Sequence, residues 1–204
     1  MVKRMPLEYS DEVMDYFKNP KNSGKIENPD ITAKAGSIAC GDMLKLYMNV
    51  NDQEIIEEMK FESFGCAANI ATSSKMTEMA TGKTIEEARQ ITFKDIIDAL
   101  EGLPNIKYHC SNLSIEALNL ALSKYEILQN KKEINKEFAE QVLKAVLDPR
   151  TGKDIITEDK LKKLKVKEEK ITIEVKEENE PELIEEQIKE AFEGLKIKLN
   201  IKFS

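Results

Sequence analysis

The chain has 204 residues, enough to bury the core of one large domain or of two small ones. Its 41% hydrophobic and 34% charged residues are ordinary for a soluble globular protein. Without an apolar run of membrane-spanning length or the hydrophobic region of a signal peptide, we expect a cytoplasmic protein that does not contact a membrane.

The net charge of −7 is unevenly distributed. Residues 1–130 carry 14 basic and 20 acidic side chains, whereas residues 131–204 carry 17 and 18. The acidic balance of the N-terminal part disfavours nucleic acid as its partner.

The first predicted element is a short helix over residues 9–17. Ser10 and Asp11 are both suitable N-cap residues, and turn-forming residues 19–24 end the helix. Val13, Tyr16 and Phe17 give it an apolar face, which we expect to dock on the rest of the domain.

From Cys40 onward, apolar residues alternate with polar ones, which predicts a strand followed by a turn at residues 51–53. A second strand then runs to about Phe64, so the two form an antiparallel hairpin. Cys40 lies just before the first strand and Cys66 just after the second. The hairpin therefore brings the two cysteines to the same edge.

Three helices are predicted next. The first spans residues 67–81, the second follows a capping box that begins at Thr84, and the third spans residues 92–101. Residues 103–107 are expected to be extended because of Pro104. Ser111 begins a long amphipathic helix. Cys66 and Cys110 thus each precede a helix N-terminus, where unpaired amides and the helix dipole favour thiolate over thiol.

The chain contains three cysteines, Cys40, Cys66 and Cys110, an odd number that argues for reduced thiols rather than a disulfide framework. Asp42 or His109, the one histidine, would complete a tetrahedral set of donors. Such a set suits zinc or an iron–sulfur cluster. The alternative is that the cysteines are small hydrophobic residues of the core.

After a polar linker at residues 129–133, a further α+β pattern begins. It consists of a helix capped by Asn135, strands near residues 164–167 and 171–176, a helix from Pro181, and a strand at residues 195–203. The predicted fold class is therefore α+β throughout. Residues 1–130 form a small antiparallel sheet with helices packed on it, and residues 133–204 form a second small α+β sandwich domain.

Several motifs in residues 1–130 occur in an order that resembles the NifU/IscU family of iron–sulfur cluster scaffold proteins. The motifs are YS at 9–10, NPKNSG at 19–24, CGDMLKL at 40–46, GCAA at 65–68, ATSS at 71–74 and KYHCS at 107–111.

This resemblance implies a non-enzymatic scaffold that builds a transient [2Fe–2S] cluster on Cys40, Cys66 and Cys110 and passes it to apo-proteins. Asp42 or His109 would supply the remaining contact. An oxygen donor is a poorer partner for iron than a fourth thiolate, so Asp42 would keep the cluster easy to release.

The resemblance also implies that a cysteine desulfurase delivers persulfide sulfur, first to Cys110. Lys107 is either a nearby cation that favours thiolate at Cys110 or a solvated loop lysine. Two positions depart from the family pattern. Ile38 replaces a common proline, and residues 103–107 lack the double proline that an Hsp70-type chaperone recognises, so chaperone docking cannot be assumed.

Residues 133–204 more weakly resemble the small domain shared by PaaD-like proteins and the N-terminal part of Mrp-type iron–sulfur carriers. The resemblance rests on VLKAVLDP at 142–149 and TGKDI at 151–155. The cysteine often found in that family is missing, so we expect this domain to dock or dimerise rather than to bind a cluster.

Three functions are left open. The leading one is the scaffold. The second is a zinc-dependent, persulfide-accepting sulfurtransferase partner of the desulfurase, although the extra residues that mark that branch are absent. The third is an interaction module whose cysteines fill the core. The fourth ligand, the acceptor proteins, a homo-oligomer with a bridging cluster, and zinc in the isolated protein are also left open.

Overall fold

The structure, a computed structural model, describes residues 9–37, 41–176 and 180–204, without the side chains of Ser37, Ile106, His109, Cys110 and Ser111. These residues form the predicted α+β architecture, and they contain two three-stranded sheets. The N-terminal part contains α1 (Asp11–Lys18), β1 (Ile31–Ser37), β2 (Asp42–Val50), β3 (Ile56–Phe64), α2 (Ala67–Ala80), α3 (Ile85–Arg89), α4 (Phe93–Ala99) and α5 (Tyr108–Leu128). The C-terminal part contains α6 (Lys136–Leu143), β4 (Leu161–Lys167), β5 (Lys170–Val175), α7 (Pro181–Ala191) and β6 (Lys198–Phe203).

The first sheet has the antiparallel order β1-β2-β3, and the predicted β2–β3 hairpin is present. Met43 pairs with Phe64, so the start of β2 lies beside the end of β3. Strand β1 was not predicted, because its sequence is built largely from alanine, glycine and other residues with weak strand preference. Its alternate residues Ile31, Ala33 and Ala35 are nevertheless buried.

Helix α1 docks on the N-terminal part through the predicted Val13 and Tyr16, whereas Phe17, predicted on the same face, is exposed. Ser10 is its N-cap, and the Ser10 hydroxyl accepts a hydrogen bond from the Val13 amide at 3.1 Å. The Tyr16 hydroxyl donates to the Glu78 carboxylate on α2. Lys75 lies over the Tyr16 ring, 4.7 Å from its centroid, which adds a cation–π contact.

The turn at residues 19–24 is fixed between α2 and β3. The Lys21 amide donates to the Ser74 hydroxyl at 2.7 Å, and the Gly24 amide donates to the Phe61 carbonyl at 2.8 Å. The serine motif at residues 71–74 therefore serves to hold this turn. Most of helix α2 is buried, and its buried Thr72 and Ser74 hydroxyls are both satisfied: Thr72 donates to the Ala68 carbonyl at 2.8 Å, and Ser74 donates to the Lys21 carbonyl at 3.1 Å.

The second sheet has the order β4-β5-β6, with β4 and β5 antiparallel and β5 and β6 parallel. Helix α7 connects the two parallel strands. Ile171, Ile173 and Val175 of β5 are buried in the same cluster as Ile184 and Ile188 of α7, so the helices cover one face of this sheet.

Three predicted boundaries were wrong. Helix α5 begins at Tyr108 rather than Ser111, so His109 and Cys110 lie within its first turn. Residues 105–107, predicted to be extended, form a 3₁₀ turn, in which the Lys107 amide donates to the Pro104 carbonyl at 2.8 Å. The final strand begins at Lys198 rather than Leu195, because helix α7 is followed by a tight turn.

Within the part of the chain that the structure describes, no helix is both long enough and apolar enough to cross a membrane.

Candidate functional site

The β2–β3 hairpin joins Asp42 to Cys66. Asp42 is the first residue of β2 and is only 5% exposed, and its Oδ1 accepts a hydrogen bond from the Cys66 amide at 2.9 Å. A buried carboxylate needs such a donor to offset its lost hydration. This contact holds the cysteine next to the aspartate along the edge that the sequence predicted.

Gly65 makes this contact sterically feasible. A Cβ atom at Gly65 would lie 2.3 Å from Asp42 Oδ1 and 2.5 Å from Asn69 Nδ2, closer than atoms can approach. Asn69 is fully buried, and its Nδ2 has no hydrogen-bond partner among the described residues. An unused amide donor therefore lies beside the Asp42–Cys66 pair.

Cys66 is the N-cap of α2, with extended backbone at φ −77° and ψ 167°, and it is partly exposed. Its side chain makes no capping hydrogen bond, and the first turn of α2 contains no acidic residue. The first amides of a helix and the positive end of its dipole favour a negatively charged group. This environment suits a thiolate or a cluster sulfide at Cys66.

Asp42 and Cys66 are the two predicted donors whose side chains are described. Cys40 lies outside the described residues, and only the backbone of His109 and Cys110 is described, in the first turn of α5. Lys107 immediately precedes that helix. Among the side chains described, no three His, Cys, Asp or Glu residues lie close enough together to hold a metal ion.

Two exposed aromatic residues each lie two positions before a cysteine. Neither was predicted from the sequence to have a functional role. Phe64 is 64% exposed at the end of β3, and Tyr108 is 39% exposed at the start of α5. The Tyr108 ring meets Phe93 edge-on, with 5.6 Å between centroids. Exposed aromatic side chains of this kind are typical of surfaces that bind another protein. The signal in the sequence was an aromatic residue just before each of two cysteines.

Asp42 also lines a cleft of about 560 Å³ between the two parts of the molecule. Gly36 of β1 and Leu113 of α5 line the near side, and Gln141 and Lys144 from the C-terminal part line the far side. This wall was not predicted, because the sequence pattern of residues 133–204 indicates a separate unit. Asp42 of the predicted site therefore borders a cleft that the C-terminal part helps to form.

A buried lysine joins the two parts at the other end of α5. Lys124 is 5% exposed, and its Nζ donates to the carbonyls of Thr32 and Ala191, each at 2.8 Å. Burial lowers the pKa of Lys124 to about 8, against the opposing effect of Glu193 and Glu190.

Glu190 of α7 extends this contact by bonding two lysines of the first sheet. Its carboxylate lies 3.0 Å from the Lys34 Nζ and 3.2 Å from the Lys45 Nζ. Burial opposes ionisation of Glu190, but the hydrogen bonds and charges of the two lysines outweigh it and lower the pKa of this carboxyl.

Residues 8–132 match the family described as the NifU-like N-terminal domain, a range that spans more than half of the chain. The chain therefore belongs to the NifU-like N-terminal domain family. The resemblance predicted from the motifs is confirmed for this part of the chain, whereas residues 133–204 lie outside the match.

Individual relatives agree with this assignment. The chain is 54% identical over 117 residues to the iron–sulfur cluster assembly scaffold protein IscU 1 of Archaeoglobus fulgidus, covering 57% of this chain and 76% of that protein. It is 42% identical over 123 residues to the scaffold protein IscU of Escherichia coli K12, covering 59% and 95%. A crystal structure of a candidate SUF-system scaffold protein from Fervidobacterium islandicum AW-1 matches with a TM-score of 0.47 at 30% identity, covering 56% and 96%.

Proposed function

We propose that this protein is a non-enzymatic scaffold that assembles a transient [2Fe–2S] cluster and transfers it to apo-proteins. The observation that carries the proposal is the Asp42–Cys66 pair at the start of α2, in a chain that belongs to a family whose relatives are cluster assembly scaffolds.

The cluster is the cargo of this protein, and we assign its ligands to the three cysteines Cys40, Cys66 and Cys110. Either Asp42 or His109 supplies the fourth contact. Because Asp42 Oδ1 accepts the Cys66 amide, Oδ2 is the oxygen left for iron. An oxygen ligand holds iron less firmly than thiolate does, which suits a cluster that must be released.

Sulfur arrives from a cysteine desulfurase in this proposal. The Cys110 thiolate attacks the terminal sulfur of the desulfurase persulfide, the desulfurase thiolate leaves, and Cys110 becomes the persulfide. Reduction of that sulfur to sulfide takes two electrons from a ferredoxin-type donor. In this proposal, Lys107, which immediately precedes α5, favours the Cys110 thiolate, and the exposed rings of Phe64 and Tyr108 contact the desulfurase; their support is the position of Lys107 in the chain and the exposure of the two rings.

Anaerobic reconstitution of the full chain with iron, cysteine, desulfurase and a reduced ferredoxin as electron donor tests the scaffold function. We expect a brown protein with charge-transfer absorption, which is lost in Cys40→Ala, Cys66→Ala and Cys110→Ala while far-UV circular dichroism is retained. Lys83→Ala, an exposed change on the surface, is the control and should load normally.

Two results would contradict the scaffold. Stoichiometric zinc with persulfide transfer but no cluster would establish the zinc-dependent sulfurtransferase instead. Three alanine variants with unchanged metal binding and unchanged stability would show that the cysteines only fill the core.

For the C-terminal part, we propose that residues 133–204 form a domain separate from residues 1–130, similar to the PaaD-like and Mrp N-terminal domains, which docks rather than ligates the cluster. Its support is the second sheet with its own helical cover, and the absence of cysteine from residues 133–204.

A further inference from the structure

The outer face of the second sheet, opposite the face covered by helices, is crowded with lysines. Residues on β5 that alternate with the buried Ile171 and Ile173 point to this face, and their cross-strand partners on β4 and β6 share it. The six lysines of this face, all exposed, are Lys163, Lys165, Lys167, Lys170, Lys198 and Lys202. We call this set the lysine face.

The register places the lysines in rows across the sheet. Lys167, Lys170 and Lys198 are direct cross-strand neighbours in one row, and Lys163 and Lys202 flank Glu174 in another. Like charges directly opposite each other on a sheet are destabilising. None of the six makes an ion pair within the described residues, although Glu168 and Glu169 lie at the nearby hairpin tip.

Protection of sheet edges does not account for the whole arrangement. Lysines on edge strands β4 and β6 would discourage pairing with another chain. Lys170, however, lies on the central strand β5, between two edge lysines. A solvated face of mixed sign would protect the edges equally well without the repulsion.

We propose that the lysine face is an electrostatic docking surface for an acidic protein, namely an acceptor with a carboxylate-rich surface. This proposal rests on the proposed scaffold function, which requires transient contact with acceptors. The face measures roughly 10 Å by 15 Å between backbone atoms, which suits the small interfaces of transient complexes. Complementary charge raises the rate of encounter more than it raises affinity.

The composition of the face favours a protein over a nucleic acid. Besides its six lysines it carries Thr172, Asn200 and Glu174, but neither arginine nor an aromatic residue, so it offers no fork for bidentate phosphate contacts and no ring for base stacking. A long polyanion would also extend beyond the face onto a molecule of net charge −7. A compact acidic patch avoids that repulsion.

The test compares two triple variants of the full chain with the same change in net charge. One is Lys167→Glu with Lys170→Glu and Lys198→Glu. The matched control is Lys18→Glu with Lys83→Glu and Lys153→Glu, three exposed lysines outside the face. Both are loaded with cluster and mixed with an apo-ferredoxin that has an acidic surface, and transfer is followed by circular dichroism.

We expect both triple variants to load cluster as the unmodified chain does. At low ionic strength, transfer from the lysine-face variant should slow by about tenfold, the size of a typical steering effect. At roughly 0.5 M salt the difference should vanish, because the charges are screened. The control should transfer at nearly the unmodified rate.

Equal transfer rates in the two variants at low ionic strength would overturn the docking surface. Failure of the unmodified chain to load cluster would refute the scaffold function instead. In that case, direct titration of the two variants with polyglutamate still tests the docking surface. Binding that is lost in the lysine-face variant but retained in the control variant supports it. Tighter binding of single-stranded DNA than of polyglutamate would overturn it in favour of nucleic acid.

Discussion

Asp42 combines two roles in a single carboxylate. Its Oδ1 fixes the Cys66 amide, and its remaining oxygen is proposed to contact iron. The two roles can be separated, because an asparagine keeps an acceptor oxygen for the amide but loses the charged, weakly held oxygen ligand that is proposed to keep the cluster exchangeable.

We predict that Asp42→Asn retains stability, holds its cluster longer and transfers it more slowly. Asp42→Ala should share the transfer defect and also lose about 1–3 kcal/mol of unfolding free energy, because the Cys66 amide is left without its acceptor. Urea unfolding and the rate of transfer to an apo-ferredoxin measure the two effects. An unchanged transfer rate in Asp42→Asn would refute the role in release.

At the residue scale, the sequence identified Asp42 and Cys66 because both lie in short, distinctive motifs, and the structure brings them together. It could not identify Asn69 or Phe64. The importance of Asn69 comes from its burial without a partner, and that of Phe64 from its exposure, and both depend on how distant elements pack.

Among the elements, helix α5 carries residues of both the proposed cluster site and the contact between the two parts. Its first turn contains His109 and Cys110, and Lys124 near its far end bonds the C-terminal part. The capping box at Thr84 was predicted because its signal is local, and the structure adds a second capping box at Thr92, where a helix start was predicted. Strand β1 was not predicted, because its segment, which contains two alanines and a glycine, becomes a strand only through its pairing with β2.

We predict that the buried Lys124 gives stability a distinctive pH dependence. An unfolded lysine has a pKa near 10.4, whereas that of the folded Lys124 is about 8. Between these values the unfolded chain binds more protons, so the free energy of unfolding should rise with pH by up to about 3 kcal/mol from this group.

Urea unfolding from pH 7 to pH 10 checks this expectation for the unmodified chain and for Lys124→Met. The rise should be missing in Lys124→Met, whereas the exposed control Lys83→Met should follow the unmodified chain. Parallel pH profiles for the unmodified chain and Lys124→Met would contradict it. Glu190, Glu193, Lys34 and Lys45 act on the same lysine, and all four remain in the variant.

For the whole molecule, the two parts contact each other more closely than a linker at residues 129–133 suggested. Their buried apolar residues belong to one cluster, and the cleft beside Asp42 has walls from both parts. The sequence predicted the elements of the C-terminal part from local periodicity. It could not predict this contact, which rests on a lysine that composition alone would place on the surface.

We predict that truncation after Asn130 leaves cluster assembly intact, because Asp42, Cys66 and the first turn of α5 all precede the cut. Removal of one wall of the cleft should instead speed the loss of iron to a chelator. Iron and sulfide per chain measure assembly, and chelator absorbance measures loss. A folded truncated protein that fails to load would show that the two parts work as one unit.

Helix α5 spans the distance between the proposed cluster site and the contact with the C-terminal part. Lys124 lies 14 residues beyond Cys110, which on a straight helix is roughly 21 Å. A tilt of about 5° around the Lys124 end would therefore swing the first turn by roughly 2 Å, close to the length of an iron–sulfur bond. A partner that displaces the C-terminal part would therefore shift the first turn of α5 relative to the rest of the proposed cluster site, without contacting the cluster.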